Sequence, residues 1–166
     1  MSDHEDRLSQ LEAAVSRLKD CEAIRQLLAR YGPLADSADT PHRRTKAGSL
    51  FSQHGVYDLG KDWSAVGPEA IGELLNNPAH LELVANGSAH VMGLPYIVLD
   101  GDTATALSYS RVYRHENGEF KIWRVSANEW HCARIKNVWK VERRINRLLD
   151  GSEAAREILK RVDLEE

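Results

Sequence analysis

The sequence predicts an α+β fold in the order α-α-β-α-β-β-β-β-α, with a cone-shaped, curved antiparallel sheet wrapped on N-terminal helices. Three observations carry this. Apolar residues recur at helical spacing up to about Gly32; from Gly87 onward, long stretches rich in Val, Ile, Tyr, Trp and Ala take over; and these are separated by the turn dipeptides Asp100-Gly101, Asn117-Gly118 and Lys136-Asn137. Helices first and strands last keep the two element types apart. A long, twisted antiparallel sheet with helices on one face curls around them, and a small ligand can be held in the hollow between the layers.

Leu8, Leu11, Val15 and Leu18 follow a 3-4-3 spacing, and after Asp20 the apolar positions continue as Ile24, Leu27, Leu28 and Tyr31, so the first amphipathic helix runs to about Gly32. Residues 1–18 can protrude as a helical extension, and their apolar stripe reads as a packing or oligomer seam. Thr40 before Pro41 supplies an N-cap and a first helical position for a second helix reaching about Phe51. Gly67-Pro68 opens a short third helix, and a helical turn fits Pro78 to Val84. A short strand near Val56 to Leu59 precedes four long strands; Asp150-Gly151-Ser152 then leads into a C-terminal helix from Glu153 to about Val162, with 152–166 as helix and tail. Without an internal repeat or a low-complexity linker, residues 1–166 read as a single domain, a size that buries roughly 70% of the unfolded chain's surface.

A formal charge of only −3 calls for no nucleic acid, anionic membrane or polyanionic substrate. Met1 to Asp6 is polar and acidic, and no apolar run approaches the ~20 residues that span a bilayer, so a cytoplasmic protein is expected. Cys21 and Cys132 are too few for a disulfide framework and read as reduced thiols. Seven histidines are scattered without a His-x-His or His-Glu-x-x-His pattern, so no metal site is expected. Nucleophile-elbow, phosphate-loop and dinucleotide motifs are missing too, which leaves the chemistry to side chains with no cofactor.

His90 stands near the start of a strand, in Gly87-Ser-Ala-His-Val-Met-Gly-Leu-Pro95, where alternation places Ser88 and Met92 on its face. A partly desolvated neutral imidazole serves as a general base near neutral pH, the more so if a carboxylate takes its other ring N–H. Asp36 is the carboxylate in position, following the helix-breaking Gly32-Pro33. Tyr31 lies five residues earlier, ~140° away around a straight helix, so its convergence with Asp36 requires the bend at Pro33. There its phenol would polarise a substrate carbonyl. The bland alternatives are a turn at Asp36-Ser37, a core His90 bonded to a carbonyl, and Tyr31 as packing. Ser126, Asn128 and Trp130 share one strand face, which would suit a flat, partly polar ligand beside Met92; the spacing leaves open whether that face looks inward. Arg143, Arg144 and Arg147 read as a solvated or subunit-facing set.

Asp20-Cys-Glu-Ala-Ile-Arg-Gln-Leu-Leu-Ala-Arg-Tyr31, Asp36, Ser88-Ala-His90, Val98-Leu-Asp-Gly-Asp-Thr-Ala104 and Val138-Trp-Lys-Val141 together resemble the SnoaL-like branch of the nuclear transport factor 2-like superfamily, over almost the whole chain. The resemblance implies the cystatin-like cone, and is greatest to bile-acid 7α-dehydratases, scytalone dehydratases and dehydrochlorinases, whose proton-abstracting His pairs with an Asp on the first helix. Those roles map onto His90 and Asp36. Tyr31 matches the bile-acid enzymes, whereas scytalone dehydratase has a Tyr where this chain has Ala35. Asn128 matches an Asn of scytalone dehydratase; its second His has no evident counterpart here. The implied activity is a cofactor-independent lyase of the dehydratase kind on a small apolar carbonyl compound. Alternatives are an isomerase or polyketide-type cyclase with the same dyad, or a non-catalytic binding or assembly module such as a ring-hydroxylating oxygenase small subunit. The resemblance also implies a homo-oligomer, trimer or dimer.

Overall fold

The computed structural model describes residues 2–60 and 63–163, so residues 164–166 of the expected tail lie outside the described residues. The first helix, α1 (Ser2–Ala29), ends earlier than its apolar spacing predicts, and a short α2 (Tyr31–Ala35) follows a turn at Arg30. Pro33 explains the break. It has no N–H to donate to the carbonyl of Ala29, and its ring crowds that same carbonyl. Leu34 N–H still bonds Arg30 O at 3.2 Å and Asp36 N–H bonds Gly32 O at 2.9 Å, so the chain turns without losing helical pairing. Leu8, Leu11, Val15 and Leu18 are 47–66% exposed; full burial on α1 begins only at Ile24.

The next helix, α3 (Pro41–Gly48), is capped by Thr40, whose hydroxyl accepts from Arg43 N–H at 3.4 Å. It stops short of Phe51 because Phe51 opens β1 (Phe51–Asp58), a strand longer than expected. A small β2 (Ser64–Val66), α4 (Pro68–Glu73) and α5 (Pro78–Asn86) come next, the last capped by Asn77 Oδ1 accepting from His80 N–H at 2.9 Å. Five strands follow Gly87 where four were expected: β3 (Ser88–Met92), β4 (Tyr96–Asp100), β5 (Thr103–Glu116), β6 (Glu119–Ile135) and β7 (Val138–Leu148). Gly93-Leu94-Pro95 splits what reads as one strand, since Pro95 cannot donate to a ladder. Both halves pair along β5, β3 at its far end and β4 at its start.

The sheet runs β2-β1-β7-β6-β5-β3, with β4 also on β5. It is antiparallel except between β1 and β7, which are parallel. Its inner face and the helices share the main core of Ile24, Leu28, Leu34, Phe51, Trp130 and Val141. The helices do not all lie on that side. A final α6 (Glu153–Lys160) packs Ala155 and Ile158 on Leu107 and Ala127 of the outer face.

One irregularity decides which side chains look inward. Cys132 opposes Val141 but His131 opposes Arg143, so Glu142 is an extra residue on β7. Such a bulge reverses the alternation. Trp139 and Val141 are buried before it, and Arg144 and Asn146 after it.

Asp20 ties α1 to the sheet, accepting from Arg134 Nη2 at 2.6 Å and Trp139 Nε1 at 3.1 Å. Cys21 and Cys132 are free thiols, and burial, with Glu142 adding to it, pushes the Cys132 thiol up to about 12. Among the described residues no helix is long and apolar enough to cross a membrane.

The tightest approach of helix to sheet is Gly32 against β3: a Cβ there would sit 2.0 Å from His90 O. Backbone cannot yield that far without moving α2. Gly32→Ala is therefore expected to destabilise the fold by about 1–3 kcal/mol, the range for forcing extra volume into a packed contact, measured by urea denaturation; a stability equal to the parent would show that α2 and β3 are not held in this contact.

Candidate active site

The turn at Arg30 and the Gly32 contact bring the C-terminal end of α2 onto the first residues of β3. Asp36 follows α2, and β3 presents Ser88 and His90 to it from one face. His90 Nδ1 lies 2.6 Å from Asp36 Oδ1, His90 backbone N–H donates to Asp36 Oδ2 at 2.6 Å, and Ser88 Oγ donates to Oδ1 at 2.7 Å. Burial on its own would raise the Asp36 carboxyl. The hydrogen bonds from the ring and backbone of His90, its charge, and Ser88 outweigh burial and hold the group below its ordinary 3.8. An ionised Asp36 fixes the proton of a neutral His90 on Nδ1, leaving Nε2 as the basic nitrogen.

His90 lines a cavity of about 390 Å³ between the sheet and α5. Leu74, Leu75, Leu83, Met92 and Val112 make its walls apolar, and Trp63 and Trp123, both about half exposed, stand among its lining residues. Tyr31 lines the same cavity, 5% exposed, its ring edge-on to Tyr57 at 6.1 Å and to Trp130 at 6.3 Å. Burial foremost, and then Tyr57, push its phenol far above 10, so it remains a neutral hydrogen-bond donor.

Asn128 and Trp130 face inward but one layer behind this wall. Neither lines the cavity, because both are saturated by protein. Asn128 donates to Ser110 Oγ at 2.9 Å, and its Oδ1 accepts from Arg144 Nε, Arg144 Nη2 and Asn146 Nδ2 at 3.0, 2.9 and 2.8 Å. Trp130 Nε1 donates to Ser108 Oγ at 3.0 Å. Their geometry supports the wall rather than touching what it holds.

Three residues of the site escape the sequence reading. Arg144 is not solvated: it is 2% exposed, with its guanidinium 4.2 Å from the Tyr31 ring centre, 4.3 Å from Trp130 and 4.6 Å from Tyr57. The bulge at Glu142 is the reason, since unbroken alternation would send Arg144 outward. Its neighbours Arg143 and Arg147 do face away, and both pair with Asp58, at 3.0 and 2.8 Å. Tyr57 reaches the cavity because β1 starts early and pairs Tyr57 with Arg144. His80, on α5, sits with its ring 5.6 Å from that of His90, and Nε2 donates to Ala35 O at 2.9 Å, next to Asp36. Burial is the main cause of its pKa falling below 6.5, against the raising effect of the Ala35 bond; His90 lowers it further and Asp36 raises it. Only the Asn77-Pro78 cap pattern marks its position in the sequence; nothing local announces a contact 45 residues away.

The SnoaL-like domain family matches residues 16–145. A solved NTF2-like protein with a cystatin-like fold from Novosphingobium aromaticivorans is 43% identical, covering 92% of this chain and 96% of its own, with a TM-score of 0.86. A protein of unknown function from Mycobacterium tuberculosis superposes with a TM-score of 0.71 at 18% identity, over 89% of this chain and 88% of its own. One from N. aromaticivorans, provisionally described as a scytalone dehydratase, gives 0.65 at 16% identity over 81% and 87%. No curated protein matches the chain.

Because the folded Asp36 titrates below its ordinary 3.8, its stabilisation is complete above that value and is lost as pH falls through the lower folded one. Asp36→Asn should lose about 1–3 kcal/mol at pH 7, and the gap to the parent should shrink below about pH 4 in urea titrations; a gap independent of pH would mean that the carboxylate is not held by His90. Because burial lowers His80 below its ordinary 6.5, less than half of it should be protonated at pH 6.5, visible in its NMR titration.

Proposed function

This chain belongs to the SnoaL-like domain family, and on that premise we propose that it is a cofactor-independent carbon–oxygen lyase of the dehydratase kind, acting on a small, largely apolar carbonyl compound. The observation that carries this reading is the 2.6 Å contact of His90 Nδ1 with an ionised Asp36 at the wall of an apolar cavity. With Nδ1–H committed to the carboxylate, Nε2 is free to accept a proton, and Asp36 stabilises the imidazolium that forms.

The substrate would place a carbon next to its carbonyl against Nε2. Nε2 takes the proton, the C–H electron pair moves to form the enolate, and negative charge gathers on the former carbonyl oxygen. Tyr31, kept protonated by burial, donates to that oxygen, with the Arg144 guanidinium on its ring adding positive potential. The enolate then collapses, expelling a β-hydroxyl, which leaves as water on receiving the proton from His90 Nε2. Apolar walls strengthen each of these electrostatic steps. A cavity of about 390 Å³ suits a bicyclic rather than a polymeric substrate. The fold shared with the neighbour provisionally described as a scytalone dehydratase supports this reading.

Proton abstraction can be tested with a ketone that has no leaving group. 2-Tetralone in heavy water should exchange its α-hydrogens faster with the protein than without, and His90→Ala should lower that acceleration by about 100- to 10,000-fold, the usual worth of a positioned base, while Tm moves by less than about 5 °C. Equal exchange by parent and variant removes His90 as the base.

A further inference from the structure

Arg144 is a cation without an anion. Among the described residues, Arg134 pairs with Asp20 and Asp102, Arg143 and Arg147 with Asp58, and Arg161 with Glu129. Arg144, far more deeply buried than any of them, has no carboxylate within ion-pair distance, and its Nη1 has no hydrogen-bond partner. Its Nε and Nη2 share the single oxygen of Asn128, and three aromatic faces cover it. Burying an unpaired charge is worth several kcal/mol of penalty, and cation–π contacts return about 0.5–2 kcal/mol each. An N–H left over on such a group is an unmet demand for an acceptor.

The same cavity holds a second guanidinium with no carboxylate partner among the described residues. Arg124 lines it, donating Nε to Ser126 Oγ at 3.1 Å and Nη2 to Asn146 Oδ1 at 2.7 Å. Asn146 in turn donates to the Asn128 oxygen that holds Arg144, so one amide network sets both cations. The carboxylate of the site, Asp36, already accepts from His90 and Ser88. Two guanidinium groups thus line one apolar hollow, Arg144 with a buried, unpartnered Nη1 and Arg124 with neutral partners only.

We propose that the ligand supplies the anion: the cavity takes a small, apolar, ring-sized molecule bearing one carboxylate, which ion-pairs with Arg144, assisted by Arg124. This names the class of compound for the site described above and rests on reading that cavity as the ligand site. The carboxylate would anchor the guest against β6 and β7, leaving its reactive carbon to His90. A planar fork of N–H donors matches a carboxylate better than it matches a carbonyl, and desolvation strengthens the pair.

The test compares 2-naphthoate with its neutral isostere 2-naphthamide by calorimetry on the intact protein at pH 7.5. Naphthoate should bind at least about tenfold more tightly. That preference should vanish in Arg144→Met, weaken several-fold in Arg124→Gln, and persist in His90→Ala, which separates the guanidinium from a protonated imidazole as the source. Should Arg144→Met fail to fold, the parent's choice between the two compounds decides. Equal binding of acid and amide overturns the anion anchor and leaves the proton-abstracting dyad standing; preference for the acid that survives in a folded Arg144→Met overturns the assignment to that residue. No binding of either compound overturns this inference together with the apolar ligand site on which it rests.

Discussion

Asp36 accepts hydrogen bonds from His90 twice and from Ser88 once, and through these three contacts the end of the helical layer is locked to the start of β3. Because one of the three comes from backbone, the carboxylate aligns the strand as well as the imidazole. The lock is possible only because Gly32 lets α2 lie directly on the His90 carbonyl. The same constraint thus serves packing and chemistry: separate the two layers by the thickness of a methyl group and His90 loses its partner.

Further along the same sheet, on β5, β6 and β7, the inner face carries an unusual polar layer within the core. Ser108, Ser110, Ser126, Asn128, Arg144 and Asn146 are all at least nine-tenths buried, and most of their polar atoms are satisfied by one another. Asn128 is its hub, with one oxygen receiving three donors. A buried polar layer of this kind fixes geometry more than it adds stability. Here it holds a guanidinium flat among Tyr31, Tyr57 and Trp130, in the lining of the cavity that His90 also lines.

One apolar hollow is lined both by the imidazole of His90 and by the guanidinium of Arg144. Under the proposed function, such a lining would order a guest, with the acidic carbon towards the imidazole and the electron-rich end towards the arginine. His80 contributes from α5, since its bond to Ala35 O steadies the residue just before Asp36 while its own burial favours the neutral ring.

The sequence by itself determined the elements whose signals are local. Caps at Thr40 and Asn77, the turn dipeptides, and the helical and alternating apolar patterns place the α+β order, and the α1, Ser88-x-His90 and Asp36 motifs place the family. Local signals also hold the pair Asp36 and His90, because a helix-breaking Gly-Pro and a strand start each mark where a side chain is presented. What only the tertiary structure decided depends on pairing between distant segments. The bulge at Glu142 is invisible in β7 alone, since it exists only relative to β6, and it turns Arg144 from solvent into the core. The split at Gly93-Leu94-Pro95, the early start of β1 that delivers Tyr57, and the contact of His80 with Ala35 have the same origin. Local patterns report what a segment prefers, whereas register between segments reports what its neighbours permit, and Arg144, Tyr57 and His80 enter this cavity's wall through the second.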